Sequence, residues 1–306
     1  MIDLGGPILE AVTPALEWIA PFVPGEVFPY FFTMEMFQRA LIATLLVTVI
    51  AGILGTYLLV QNLALIGDGL AHVSFGGVAV GIVLGATSPL MYALVFSIIS
   101  AVLIHEMQAR NMLSGDASIA IFLTGMLALG LVLLRLFGGG ITADIEGYLF
   151  GNLLLIDEDS FDLIVFLSLS SMVLIGFLRN ALLAVAVDPV TARIQGLPVR
   201  NIGLLFSVIT AAVVVSMVQV VGTLLVTALL VTPAATAKLV GGSFRSCMLW
   251  TQVFGIGSVM LGLYFSAEHD TGSGTMIALL AAVVFAIVAV SKVVSEGVFR
   301  QDDNMN

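Results

Sequence analysis

Apolar runs of about 20 residues recur along nearly the whole chain, and each is long enough to cross a bilayer as a helix. A soluble core could not hide so much apolar surface. Of the 306 residues, 60% are hydrophobic and 10% charged, where a soluble domain carries about a quarter charged. The chain reads as an all-α polytopic membrane protein.

The runs and their breakers predict nine spans, near 37–60, 64–86, 89–106, 117–138, 160–179, 201–220, 222–240, 247–266 and 273–293. The sixth and seventh adjoin at Gly222, so a broken helix and eight spans is the alternative. Residues 1–36 form an external amphipathic extension, 37–294 the transmembrane domain, and 295–306 a cytoplasmic tail. In the extension Pro7, Pro14 and Pro21 repeat every seven residues, as do Asp3, Glu10 and Glu17. Prolines at that spacing predict broken helical segments lying on the outer interface.

Cytoplasmic loops hold an excess of Lys and Arg. With the N-terminus outside and the C-terminus inside, Arg110, Arg179, Arg193, Arg200, Lys238, Arg245, Lys292 and Arg300 fall at cytoplasmic ends or loops, leaving only Arg39 and Arg135 outside. The same orientation puts thirteen acids outside, among them Asp144, Glu146, Glu158, Glu268 and Asp270, an arrangement that attracts cations.

Several function classes drop out. Ten basic against twenty acidic residues offer no clustered basic face for nucleic acid. Cys247 is the single cysteine and cannot make an internal disulfide. No Lys or Arg precedes Arg39, so the basic region of a cleavable signal peptide is missing. Both lysines, Lys238 and Lys292, follow Ala237 and Ser291 rather than Gly, so no P-loop exists to cradle ATP. Energy for pumping would come from a partner or an ion gradient.

Ionisable residues inside a span are costly and mark function. The second span holds two, in Gly67-Asp68-Gly69-Leu70-Ala71-His72. A spacing of four puts Asp68 and His72 on one helix face, a turn apart. A carboxylate oxygen and an imidazole nitrogen can then converge on a divalent cation; an Asp–His hydrogen bond that staples helices together is the alternative. The same span is rich in small residues, Gly67 through Gly81, which let helices approach closely. His105 beside Glu106 reads as an interface residue. Glu268, His269 and Asp270 form an external cluster that could touch a metal on its way in, or simply a solvated loop. Between the fifth and sixth spans, Asp188 and Pro189 spell a helix start and Gly196 with Pro198 a stop. The short helix between them, carrying Ala192 and Arg193, suits docking of a soluble partner.

Four motifs in order resemble the integral-membrane permeases of ATP-binding-cassette importers for zinc, manganese and related divalent metals: Leu65 through Ala79, Tyr148 through Leu153, Asp188 through Val199, and Val220 through Ala237. The resemblance runs from about Phe37 to Val294. It implies a fold similar to vitamin B12-type importer permeases and a homodimer with the path at its interface. A cytoplasmic ATP-binding subunit would dock on the 188–198 helix, and an extracytoplasmic metal-binding protein would deliver the ion. Asp68 and His72 match the family's metal-contacting pair. The stretch Phe265 through Thr271 looks closer to zinc than to manganese permeases, which puts zinc first and manganese next. The expected protein is thus a non-enzymatic permease of the cell membrane with no covalently bound cofactor. Import of cobalamin or a siderophore, or stand-alone secondary metal transport, are the other readings.

Overall fold

A computed structural model describes residues 4–138, 143–153 and 156–303. Asp3 lies outside the described residues, as do the side chains of Asp144 and Arg300. Fourteen α-helices and no strand are found among the described residues: α1 (Gly5–Ile19), α2 (Tyr30–Thr33), α3 (Glu35–Val60), α4 (Leu65–Val83), α5 (Pro89–Ala109), α6 (Gly115–Phe137), α7 (Ala143–Phe150), α8 (Glu158–Val187), α9 (Pro189–Ile194), α10 (Val199–Val221), α11 (Val226–Leu230), α12 (Thr232–Val240), α13 (Phe244–His269) and α14 (Ser273–Asp303). Helices dominate because hydrocarbon offers the backbone no outside partner and a helix satisfies its own N–H and C=O groups.

Among the described residues eight helices are long and apolar enough to cross a membrane: α3, α4, α5, α6, α8, α10, α13 and α14. The expected seventh span, 222–240, is not a single helix. Gly222 ends α10 in a conformation open to glycine alone (φ 82°, ψ 157°), and Pro233, without an N–H, opens a new helix at α12. The segment still bridges the two faces of the molecule. Gly274, at the start of α14, packs on Val221 and Phe150. At the far end Lys292 Nζ donates to the carbonyl of Leu239, 2.8 Å away. Eight continuous helices and one broken crossing therefore account for all nine apolar runs.

α4 and α10 form the buried centre, while α6 and α14 turn apolar faces outward through residues such as Val132, Leu136, Ile287 and Val290. Close approach fixes α4 in place. A Cβ at Gly77 would sit 2.7 Å from the Ala93 Cα, and one at Gly76 would sit 2.7 Å from the Met126 carbonyl oxygen. The small-residue motif of the second span is thus the surface on which α5 and α6 pack.

The N-terminal extension departs from expectation. α1 is continuous through Pro14, because Pro7 sits in its first turn, where the N–H would be unpaired anyway. Pro14 frees only the carbonyl of Glu10, which lies on an exposed side. Only at Pro21 does the helix give way, to a short 3-10 turn at Ala20–Phe22. The extension is tied to the transmembrane domain: Gly5 N donates to Asp162 Oδ1 (2.7 Å) and Thr13 Oγ1 to Gln38 Oε1 (3.0 Å).

Candidate metal centre

α4 starts at Leu65, directly after the turn that leaves α3. At about 1.5 Å per residue its His72 lies roughly 10 Å along the helix, well inside the apolar span. The imidazole is buried, with 10% of its side chain exposed, against 31% for Asp68. His72 Nε2 and Asp68 Oδ1 are 4.0 Å apart, too far for a hydrogen bond, so the pair is not the Asp–His staple that the sequence left open. Asp68 turns elsewhere: Thr227 Oγ1, on α11, donates to Oδ1 at 3.1 Å. His72 Nδ1 is buried with no hydrogen-bond partner. Buried polar atoms are almost always satisfied, and this ring nitrogen is left open to a further partner.

The broken crossing supplies the other wall. Leu230 packs on Gly67 of α4, and Thr227 reaches Asp68 from one turn earlier. Irregular backbone at membrane depth survives where protein buries it, and here Thr223, Val226, Leu229 and Leu230 are all buried. Two amides at its start are satisfied from outside the segment: Thr223 N donates to Tyr148 O at 2.9 Å and Leu224 N to Leu149 O at 3.1 Å, while Asn152 N donates back to Gln219 O of α10 at 3.2 Å. Two motifs far apart in sequence, Tyr148–Leu153 and Val220–Ala237, thereby pair backbone to backbone. Gly151 (φ 81°) and Gly222 (φ 82°) touch where they meet.

Among the described residues no group of three or more His, Cys, Asp or Glu side chains converges. Asp68 and His72 offer one oxygen-donor group and one nitrogen, with the Thr227 hydroxyl alongside.

The Glu268-His269-Asp270 cluster is placed differently from the central pair. Glu268 accepts from the backbone N–H groups of Glu26, Val27 and Phe28 at 3.1, 2.9 and 2.9 Å, so its carboxylate clamps the N-terminal extension. His269 stacks on Phe265, with ring centroids 6.1 Å apart, and Asp270 caps α13 in the left-handed region (φ 51°).

At the opposite end of the bundle α9 forms as its sequence predicts. Asp188 Oδ1 accepts from Val190 N (2.9 Å) and Thr191 N (3.0 Å), and Oδ2 from Thr191 Oγ1 (2.5 Å). These bonds, led by the Thr191 hydroxyl, hold the Asp188 carboxyl below the usual carboxylate range. Gly196 (φ 84°) turns the chain after the helix. Ala192 faces inward while Val190 and Ile194 stand out, 68% and 81% exposed, and Arg193 and Pro198 lie on the adjoining surface.

Three contacts escaped the sequence reading: Thr227 on Asp68, the Gly151–Gly222 approach, and Arg200 on Glu106. Arg200, in the first turn of α10, reaches both Glu106 oxygens at 2.6 and 2.7 Å. That tie joins the segment after α9 to α5, which packs on α4. A charged pair in neighbouring helix ends was the available signal, but nothing in one sequence pairs residues 94 positions apart.

Comparison with known proteins agrees with the geometry. The pattern of the "ABC 3 transport family" matches residues 33–292. The manganese transport system membrane protein MntC of Halalkalibacterium halodurans is 33% identical over 82% of this chain and 85% of its own. The manganese import system permease protein ScaB of Streptococcus parasanguinis is 31% identical over 82% and 88%. Among solved structures, PsaBC from Streptococcus pneumoniae in complex with Fab superposes with a TM-score of 0.74 at 30% identity, covering 85% of this chain and 92% of that one. A structure described as "an inward-facing conformation of a putative metal-chelate type ABC transporter" shares the fold, with a TM-score of 0.69 at 15% identity over 92% and 97%. The chain belongs to the ABC 3 transport family, as a membrane-embedded permease of the ABC metal-transport class.

Proposed function

We propose that this chain is the membrane-spanning half of an ATP-driven importer that carries a divalent metal, manganese first and zinc as its competitor, into the cytoplasm. The observation that carries the reading is the buried His72 imidazole, whose Nε2 lies 4.0 Å from the Asp68 carboxylate one helical turn away without bonding it. Manganese goes first because the named relatives are manganese systems. The stretch that leaned toward zinc, Phe265 through Thr271, is engaged with the extension and its own helix end, so it says little about ions at Asp68. A second copy of the chain would double the donors to two carboxylates and two imidazoles, enough for one ion near a shared axis. Mixed nitrogen and oxygen ligation suits Zn²⁺ and oxygen-rich sites suit Mn²⁺, so one His and one Asp per chain do not choose between them.

ATP hydrolysis falls to a cytoplasmic partner docking on α9, whose exposed Val190 and Ile194 lie four residues apart on one face. An external binding protein would deliver the ion on the side of α1 and Glu268. The N-terminus lies outside and the C-terminus inside, as the eight-to-two division of basic residues favours. In cells that depend on this system, Asp68→Ala and His72→Ala should each cut manganese accumulation at least tenfold with the protein still in the membrane. Wild-type accumulation in both variants would rule the pair out as the route.

A further inference from the structure

Between α3, α8 and α13, on the α9 side of the molecule, lies a cavity of about 360 Å³. Its walls are apolar, from Ile53, Ile175 and Met248, but Arg179 and Arg245 stand at its rim. Both arginines are exposed, and neither has an acidic partner among the described residues. Tyr57 Oη donates to the Arg179 carbonyl at 3.3 Å, pinning α8 to α3 beside the rim. Gly176 lines the same cavity, and a Cβ there would meet nothing within 4 Å. A second hollow of about 300 Å³ adjoins it, sharing Leu183 and Phe244, and adds Lys238. Three cations therefore border one apolar groove, and no carboxylate lines either part.

The depth fits a membrane boundary. Arg245 is the second residue of α13 and Arg179 lies about 12 Å before the end of α8, so both sit where apolar span gives way to headgroups. Cations at that depth without a protein counter-ion attract anionic headgroups. The guanidinium fork matches phosphate oxygens two at a time. We propose that this groove binds an anionic phospholipid, its phosphate held between Arg179 and Arg245 and an acyl chain running past Gly176. The site shares no residue with the Asp68–His72 centre and does not depend on which metal passes there.

Native mass spectrometry of the full chain, offered equal amounts of phosphatidylglycerol and phosphatidylcholine, tests it. Phosphatidylglycerol should be retained in preference. Retention should fall about fivefold for each of Arg179→Gln and Arg245→Gln, and by less for Arg245→Lys, which keeps the charge but loses the fork. Gly176→Phe, which fills the groove and leaves both charges, should also lower retention. Arg135→Gln, at the opposite face, should change nothing, and a single symmetric peak on size exclusion checks that each variant is folded. Equal retention of the two lipids would overturn the proposal. So would full retention in the two glutamine variants or in Gly176→Phe, a loss matched by Arg135→Gln, or displacement by inorganic phosphate at equal concentration, which would make the site a bare anion site.

Discussion

At the scale of single residues, an acid and an imidazole sunk in an apolar span can bond each other, bond their neighbours, or hold an ion. The 4.0 Å separation removes the first, and Asp68 spends one oxygen on Thr227 while His72 Nδ1 has nothing. Thr227 fixes one oxygen of that carboxylate and would act on an ion only through it, as a positioning residue. Thr227→Val removes that bond and should weaken manganese uptake about 10- to 150-fold in KM, the worth of a hydrogen bond to a charged group, with transport at saturating metal largely retained. Loss of the maximal rate alone would assign Thr227 to helix packing instead. Asp68 and His72 were legible in the sequence because two ionisable groups in a span have few other uses. Thr227 was not, since it is one of four threonines between 223 and 236, and its pairing depends on how helices 159 residues apart come together.

At the scale of elements, the broken crossing depends on Gly222 in a backbone region closed to other residues. Gly222→Ala should cost about 1–3 kcal/mol from the backbone alone, with more from contact with Gly151. The expected outcome is a lower melting temperature of the purified protein together with reduced uptake; an unchanged melting temperature would mean that the α10–α11 break tolerates a side chain. The sequence marked this junction with Gly222 and Pro233 but could not say whether the run continued as one helix, because the apolar content is the same either way. Deciding it are the amides that pair with Tyr148 and Leu149, contacts that periodicity does not encode. α9 is the opposite case: cap, first-turn proline and closing glycine are local signals, and the helix forms where they put it. Because the native Asp188 carboxyl is held low, its cap is intact above the ordinary carboxylate pKa of about 4 and is lost as pH falls through the lowered value. Amide protection at Val190 and Thr191 should therefore drop in acid in the wild type. In Asp188→Asn, which caps without titrating, it should stay level, and a parallel acid drop there would place the sensitivity elsewhere.

At the scale of the molecule, composition alone made the membrane bundle legible, since nothing but spans can use so many apolar runs. The extension was read less well: its prolines predicted breaks, but the helix tolerates Pro14 because the carbonyl it frees faces outward. Its clamp by Glu268 lies 240 residues away in sequence. The central claim is that a divalent ion pauses on His72 and Asp68. Pulsed electron paramagnetic resonance of Mn²⁺ bound to the purified full-length chain tests it most directly. The account predicts an imidazole ¹⁴N coupling in the wild type that disappears in His72→Ala, with Mn²⁺ affinity at least tenfold lower; the same nitrogen coupling and affinity in His72→Ala would contradict it.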